Sequence, residues 1–174
     1  SECLGAARAG GRLENFALVF IDVDRFKYVN DTLGHAAGDM VLRVLADRLR
    51  KEVGPEDVIA RLGGDEFTVL LPGTRTVEGA ERTAARLLRA IEQPINALGH
   101  QIVVSASAGV AIADTSVDRP GQLLSDADLA MYHAKERGRG RWEAFRPSLR
   151  TRSIARLEIE HDLRGAISRG ELHV

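Results

Sequence analysis

Hydrophobic positions along the chain change their period several times, and each change marks a predicted element. The segment Phe16-Ala17-Leu18-Val19-Phe20-Ile21 is apolar throughout and then gives way to Asp22-Val23-Asp24. That is the pattern of a strand buried on both faces whose C-terminal edge is polar. Beyond Gly38-Asp39, residues Val41, Leu42, Leu45, Ala46 and Leu49 recur at helical spacing, which predicts a helix with Asp39 in its first turn. Val58-Ile59 and Phe67 to Leu71 read as two short buried strands on either side of Gly63-Gly64-Asp65-Glu66. A Gly-Gly pair suits a tight hairpin in which both central residues need positive φ. A second helix carries Ala80, Ala84, Leu87, Leu88 and Ile91 on one face and stops before Pro94. A β-rich stretch follows from Ile102 to Ile112, preceded by a hairpin turning at Leu98-Gly99. Pro120-Gly121 introduces a third helix with Leu123, Leu124, Ala127, Ala130, Met131 and Ala134, closed by Gly138. Trp142 to Phe145 is a last short strand. Helices mixed with a hairpin and a central sheet predict an α/β sandwich, three-layer-like, around a mixed and partly antiparallel sheet.

Composition narrows the setting. With 174 residues, 44% of them hydrophobic, the chain can bury the core of one ordinary domain. No apolar run approaches the roughly 20 residues that span a bilayer, and the N-terminus lacks a secretory pattern, so a cytoplasmic location is expected. Cys3 is the single cysteine and is assigned no role. A net charge of −1 gives no global attraction to a polyanion. The run Arg137 to Arg141 lacks the interleaved aromatics of a base-stacking platform, and no nucleic-acid partner is expected. From Pro147 the character changes: Arg150 to Arg156 is highly charged, Ile159, Leu163, Ala166 and Ile167 form another helical stripe, and Gly170 to Val174 begins a strand.

The chemistry lies where the apolar runs stop. Asp22 and Asp24 end one predicted strand, and Asp65 and Glu66 follow the glycine pair, so two acid pairs can converge at one sheet edge. Crowded carboxylates repel one another and are tolerated mainly around a hard divalent cation. Magnesium takes one or two protein carboxylates and completes its shell with water and phosphates, which points to a metal–nucleotide site. Glycines at the hairpin would let a ligand approach the backbone. Taken alone, the same residues also suit a plain hairpin tip with solvated acids.

Gly63-Gly64-Asp65-Glu66-Phe67 matches the signature of the GGDEF-type diguanylate cyclases. Phe20 to Asp39 resembles the family's first strand and the nucleotide-binding segment after it, and Leu129 to Arg139 resembles its late helix. The resemblance covers Phe16 to Phe145. It implies a fold similar to adenylyl cyclases and polymerase palms, which is ferredoxin-like. It also implies the condensation of two GTP to cyclic di-GMP and two pyrophosphates across a homodimer, each 3′-hydroxyl attacking the partner's α-phosphate. Asp22 and Asp65 then correspond to carboxylates that bind Mg²⁺ or Mn²⁺, with the Val23 carbonyl as a further ligand. Glu66 is a second metal contact or the group assisting deprotonation of the hydroxyl, so Asp65 and Glu66 carry the catalytic assignment. Asn30 and Asp39 match the guanine readers; a carboxylate accepts from both N1–H and the exocyclic amine, an edge adenine lacks. Lys27, Lys135 and Arg139 match phosphate contacts, and Gly63 and Gly64 let nucleotide approach. Asp24 is either a supporting or a structural acid, His35 a loop or cap residue, and Asp128 structural. The alternative function is a catalytically silent GTP-binding module that controls an attached phosphodiesterase.

The chain departs from the family pattern in four places. Many relatives carry an inhibitory product-binding Arg-x-x-Asp; here the equivalent is Gly54-Pro55-Glu56-Asp57, which keeps the acid and loses the guanidinium, so no inhibitory product site is expected. Gly140 stands where the family usually has Asn, which bears on the stiffness of that loop. The N-terminal turn that links such domains to a sensory region is absent. Leu157 to Leu172 resembles the entry into an EAL-type phosphodiesterase domain. These features divide the chain into a cyclase domain over 1–147 and a linker helix with the first residues of an EAL-type domain over 148–174, as expected of a piece of a tandem protein.

Overall fold

A computed structural model of the chain describes residues 16–113, 120–153 and 159. Its elements run β1 (Phe16–Val23), α1 (Phe26–Leu33), α2 (His35–Glu52), β2 (Val58–Gly63), β3 (Glu66–Pro72), α3 (Val77–Ile91), β4 (Ile95–Ala97), β5 (His100–Ile102), β6 (Ala106–Ala113), α4 (Pro120–Glu136) and β7 (Trp142–Ala144). The main sheet has the order β2-β3-β1-β6-β7, and β4 and β5 form a separate hairpin. Pairing is antiparallel except between β6 and β7. This is the mixed α/β architecture that the hydrophobic pattern predicts.

The apolar run of β1 makes it the central strand, and the two-residue period splits its side chains between two cores. Ala17, Val19, Ile21 and Val23 join the larger cluster, which includes Val29 of α1, Val41, Leu45 and Leu49 of α2, and Ala84, Leu87 and Ile91 of α3. Leu18 and Phe20 point to the other side, where Leu70, Ala111, Leu123, Ala127 and Met131 form a smaller cluster under α4. By the same parity Asp22 lies on the α4 side. Small residues set the depth of α4: a Cβ on Gly109 of β6 would lie 1.8 Å from the Ala127 carbonyl oxygen and 2.4 Å from the Met131 nitrogen. The helix rests directly on the strand, and its last turn reaches the C-terminal end of β1.

Several local expectations need correction. The segment after β1, for which no helix is predicted, folds as the eight-residue helix α1 with only Phe26 and Val29 buried, and Asn30 lies within it. Helix α2 starts at His35, after Gly34 at φ 82°, which puts Asp39 beyond the first turn. At the hairpin only Gly64 has positive φ, 53°. Gly63 still pairs with Glu66 after a register shift at Arg61, so the two-residue turn is Gly64-Asp65. The geometry expected of Gly63-Gly64 occurs instead at Leu98-Gly99, with φ of 51° and 81°, between β4 and β5. Strand β2 is an edge strand with no fully buried residue, because only β3 pairs with it.

Residues 147–153 are helical and lie against α4. Arg150 pairs with the buried Asp126, and its guanidinium sits 5.6 Å from the centre of the Phe145 ring. His133 Nε2 and Ser153 Oγ share a hydrogen bond of 3.2 Å. Cys3, the strand expected over 170–174 and the helical stripe beyond Ile159 lie outside the described residues. No helix among the described residues is long and apolar enough to cross a membrane.

The seating of α4 yields a direct test. Gly109→Ala should cost about 3 kcal/mol or more, since the new Cβ would collide with backbone atoms of α4, which no rotamer change can relieve. Urea denaturation of the two proteins measures it, and an unchanged midpoint would mean that α4 does not lie this close to β6.

Candidate functional site

The site begins with the register of the central strand. Asp22 is opposite Glu66 on one neighbour and Ser107 on the other, so antiparallel pairing alone brings carboxylates from β1 and β3 to the same face. The tip of the β2–β3 hairpin is tied back to β1 by a hydrogen bond from the Val23 N–H to the Asp65 carbonyl, 3.2 Å. Arg61 Nε donates to the Gly64 carbonyl at 2.8 Å and holds the turn. A Cβ on Gly63 or Gly64 would meet nothing within 4 Å. Gly64 answers to its backbone angle, while the bare backbone of Gly63 borders open space that a ligand can enter.

Lys135, in the last turn of α4, places Nζ 2.7 Å from Asp22 Oδ2. Burial pushes the Asp22 carboxyl up; the Lys135 hydrogen bond and charge pull it back, Asp65 and Asp24 push it up again, and the net shift is upward. Glu66 is raised too, first by burial and then by the charges of Asp22, Asp65 and Asp128, against a smaller pull from Lys135. Asp128, expected to be structural, is exposed on α4 and adds its charge to this field. Five acids, Asp22, Asp24, Asp65, Glu66 and Asp128, thus act in a field with one lysine, an excess of negative charge that suits a divalent cation. Among the described residues no three acidic, histidine or cysteine side chains form a ready-made metal cage. The donor set fits an ion that takes few protein ligands and keeps water and phosphate in its shell.

The nucleotide-contact candidates lie on α1, α2 and the loop after α4. A Cβ on Gly38 would fall 1.9 Å from Asn30 Oδ1, so the missing side chain lets the Asn30 amide lie against α2, beside the position that precedes Asp39. Asp39 is exposed, and Lys27 is exposed in the first turn of α1. That helix starts from Arg25 at φ 55° with no side-chain cap, leaving a positive helix end beside Lys27. Arg139, at φ 64°, lines a cleft of about 340 Å³ with Asp24, Arg25, Tyr28, Ser105 and Gly140. His35 is exposed as the first residue of α2.

Three features were not legible in the sequence. Asp24 is buried and accepts from Ser105 Oγ at 2.7 Å, Ser107 Oγ at 2.8 Å and the Gly140 N–H at 3.1 Å; nothing local announces partners so distant in the chain. Gly140 has φ 58°, a left-handed angle that Gly adopts freely and Asn tolerates. Asp57 Oδ2 accepts from the Gly54 N–H at 2.7 Å, so this acid closes its own turn.

Known proteins resemble the chain over most of its length. The profile of the family described as "Diguanylate cyclase, GGDEF domain" matches residues 5–141. The chain is 40% identical over 157 residues to the bifunctional diguanylate cyclase/cyclic di-GMP phosphodiesterase MucR of Pseudomonas aeruginosa, covering 90% of this chain and 23% of MucR. It is 35% identical over 163 residues to the cyclic di-GMP phosphodiesterase NbdA of the same organism, covering 94% of this chain and 21% of NbdA. The crystal structure of the GGDEF domain of TpbB, also from Pseudomonas aeruginosa, superposes with a TM-score of 0.75 at 41% identity, over 84% of this chain and 90% of that one. The chain therefore spans less than a quarter of the length of MucR and NbdA but nearly all of a solved single domain.

The raised carboxyls predict how stability depends on pH. Asp22 and Glu66 bind their protons more tightly folded than unfolded, so each costs stability once pH rises through its folded pKa, and the cost vanishes below the ordinary carboxylate value of about 4. Glu66→Gln should therefore raise the thermal midpoint of the metal-free protein near neutral pH, with the gain fading as pH falls toward about 4. Melting curves across this range that show a pH-independent difference would contradict the electrostatic account.

Proposed function

The chain belongs to the GGDEF domain family of diguanylate cyclases, and from that premise we propose that it condenses two GTP into cyclic di-GMP and two pyrophosphates, working as a homodimer. The observation that carries this reading is the convergence of Asp22, Glu66 and the Asp65 hairpin around Lys135 at the end of β1. Asp22, Asp65 and the Val23 carbonyl would hold Mg²⁺ or Mn²⁺, with Glu66 beside them. Such an ion, when bound, neutralises phosphate charge and lowers the pKa of the attacking 3′-hydroxyl.

The remaining work falls to this chain's side chains. Asn30 and Asp39 read the Watson–Crick edge of guanine from the α1–α2 pair, where Gly38 gives the Asn30 amide its room. Lys27 at the open end of α1, Lys135 as a point charge and Arg139 as a fork hold the phosphates. Glu66, whose proton affinity burial has already raised, is suited to take the hydroxyl proton or to sit against the metal. Gly63 and Gly64 leave the hairpin backbone open to the nucleotide. Each subunit brings one GTP, so the reaction needs two sites face to face.

A second reading rests on NbdA, a relative named only as a phosphodiesterase: here the domain binds GTP and regulates an attached EAL domain without turnover. Retention of Asp22, Asp65 and Glu66 favours the enzyme. In either case the parent protein would join an N-terminal sensory region to a C-terminal EAL domain and draw on cytoplasmic GTP.

With GTP and Mg²⁺, product formation should rise more steeply than linearly with protein concentration, and Asp65→Asn should lower it by ~10²-fold or more, the scale for one group serving transition-state charge. GTP bound without turnover by the full-length dimer would transfer the case to the regulatory reading. The Gly54–Asp57 turn adds a separate expectation: titration calorimetry with cyclic di-GMP should find no tight site there. A submicromolar site abolished by Asp57→Ala would overturn it.

A further inference from the structure

We propose that Asp24 is a positioning residue that locks the Arg139 loop onto the end of the sheet and so fixes the phosphate-binding fork. The inference rests on the reading of Arg139 as a phosphate contact. Asp24 is 6% exposed and both of its oxygens are occupied by neutral donors. Oδ1 accepts from Ser107 Oγ, while Oδ2 accepts from Ser105 Oγ and from the Gly140 N–H. A carboxylate so engaged has little left to offer a metal ion, which separates its role from that of Asp22 two residues earlier.

The donors show what the clasp holds. Ser105 and Ser107 stand at the start of β6, and the Asp24 N–H donates to the Ser105 carbonyl at 2.9 Å, so these three residues form one rigid corner. Gly140 is the outsider: it belongs to the loop that leaves α4. In that loop Arg139 holds a left-handed angle, φ 64°, which a side-chain-bearing residue keeps only where its surroundings dictate it. Three ties dictate it. The Arg139 N–H donates to the Ala134 carbonyl at 3.1 Å, the Arg141 carbonyl accepts from the Ala108 N–H at 2.9 Å, and Gly140 between them is held by Asp24. Only the last tie runs through a side chain, and it comes from the connection that leads into α1. Asp24 therefore couples the segment carrying Lys27 to the loop carrying Arg139, and both border the same cleft.

Two measurements test this, one of them independent of GTP. By hydrogen exchange, the Gly140 amide should be protected in the unsubstituted protein and exchange at least about tenfold faster in Asp24→Ala, while β1 and β6 amides stay protected. For GTP, Asp24→Ala should raise KM about tenfold with a smaller change in kcat, and should add nothing to Arg139→Ala in a double-mutant cycle. Asp24→Asn should recover most of the affinity, because its amide oxygen can accept from Ser105 and Gly140 while its NH₂ donates to a reoriented Ser107 hydroxyl. If Asp24→Ala does not fold, Asp24→Ser serves in its place, its hydroxyl being too short to reach Gly140. An Asn variant as impaired as the Ala variant, additive effects with Arg139→Ala, or a Gly140 amide indifferent to residue 24 would each overturn the proposal. Failure to bind GTP with the exchange pattern intact would instead count against the functional reading alone.

Discussion

The ion pair between Asp22 and Lys135 is the contact on which the rest of the structure converges. Asp22 ends the most buried strand of the sheet, where a carboxylate loses water on both sides and gains neighbours of its own sign. Such a group needs a cation within reach or it neutralises itself. Lys135 supplies one at 2.7 Å, but from a helix remote in the sequence that begins at Pro120. The fold must therefore bring the end of α4 over the end of β1.

It does so with small residues. Ala127, Ala130 and Ala134 are fully buried along α4, and Gly109 opposite them has no side chain to hold the helix away. Any larger residue in that row would lift α4 and withdraw Lys135 from Asp22. The same helix is secured on its outer side by Arg150, which reaches Asp126 and the face of Phe145. Residues 147–153 are thus tied to the helix that carries the lysine of the site.

How much of this was legible in the sequence depended on the range of the signal. The buried run of β1, the stripes of α2, α3 and α4 and the mixed sheet were readable because each is written in local periodicity. Helix α1 was not, since two buried residues in eight leave no stripe to see. The Gly63-Gly64 pair suggested a turn one residue too early, because the bulge after Arg61 depends on strand register and not on glycine content. Asp22, Asp65 and Glu66 were identified by motif, and the strand pairing explains why they meet. Asp24 resisted assignment because its partners lie 81, 83 and 116 residues away.

The acids of this chain then fall into two kinds, and the contrast argues for what the site is for. Asp24, Asp57 and Asp126 are consumed by structure: their oxygens accept from serine hydroxyls, backbone N–H groups, a glutamine amide or an arginine. Asp22 and Glu66 are the acids, among the described residues, whose carboxyls the fold holds above their ordinary range. Even with Lys135 beside it, Asp22 pays more for burial and like charge than the ion pair returns. Keeping charge where it is least comfortable is a cost that proteins bear at functional sites. Here the strain has a sign as well as a place: acids outnumber cations at the end of β1, and on the proposed reading a metal-bound triphosphate would bring the cation that balances them.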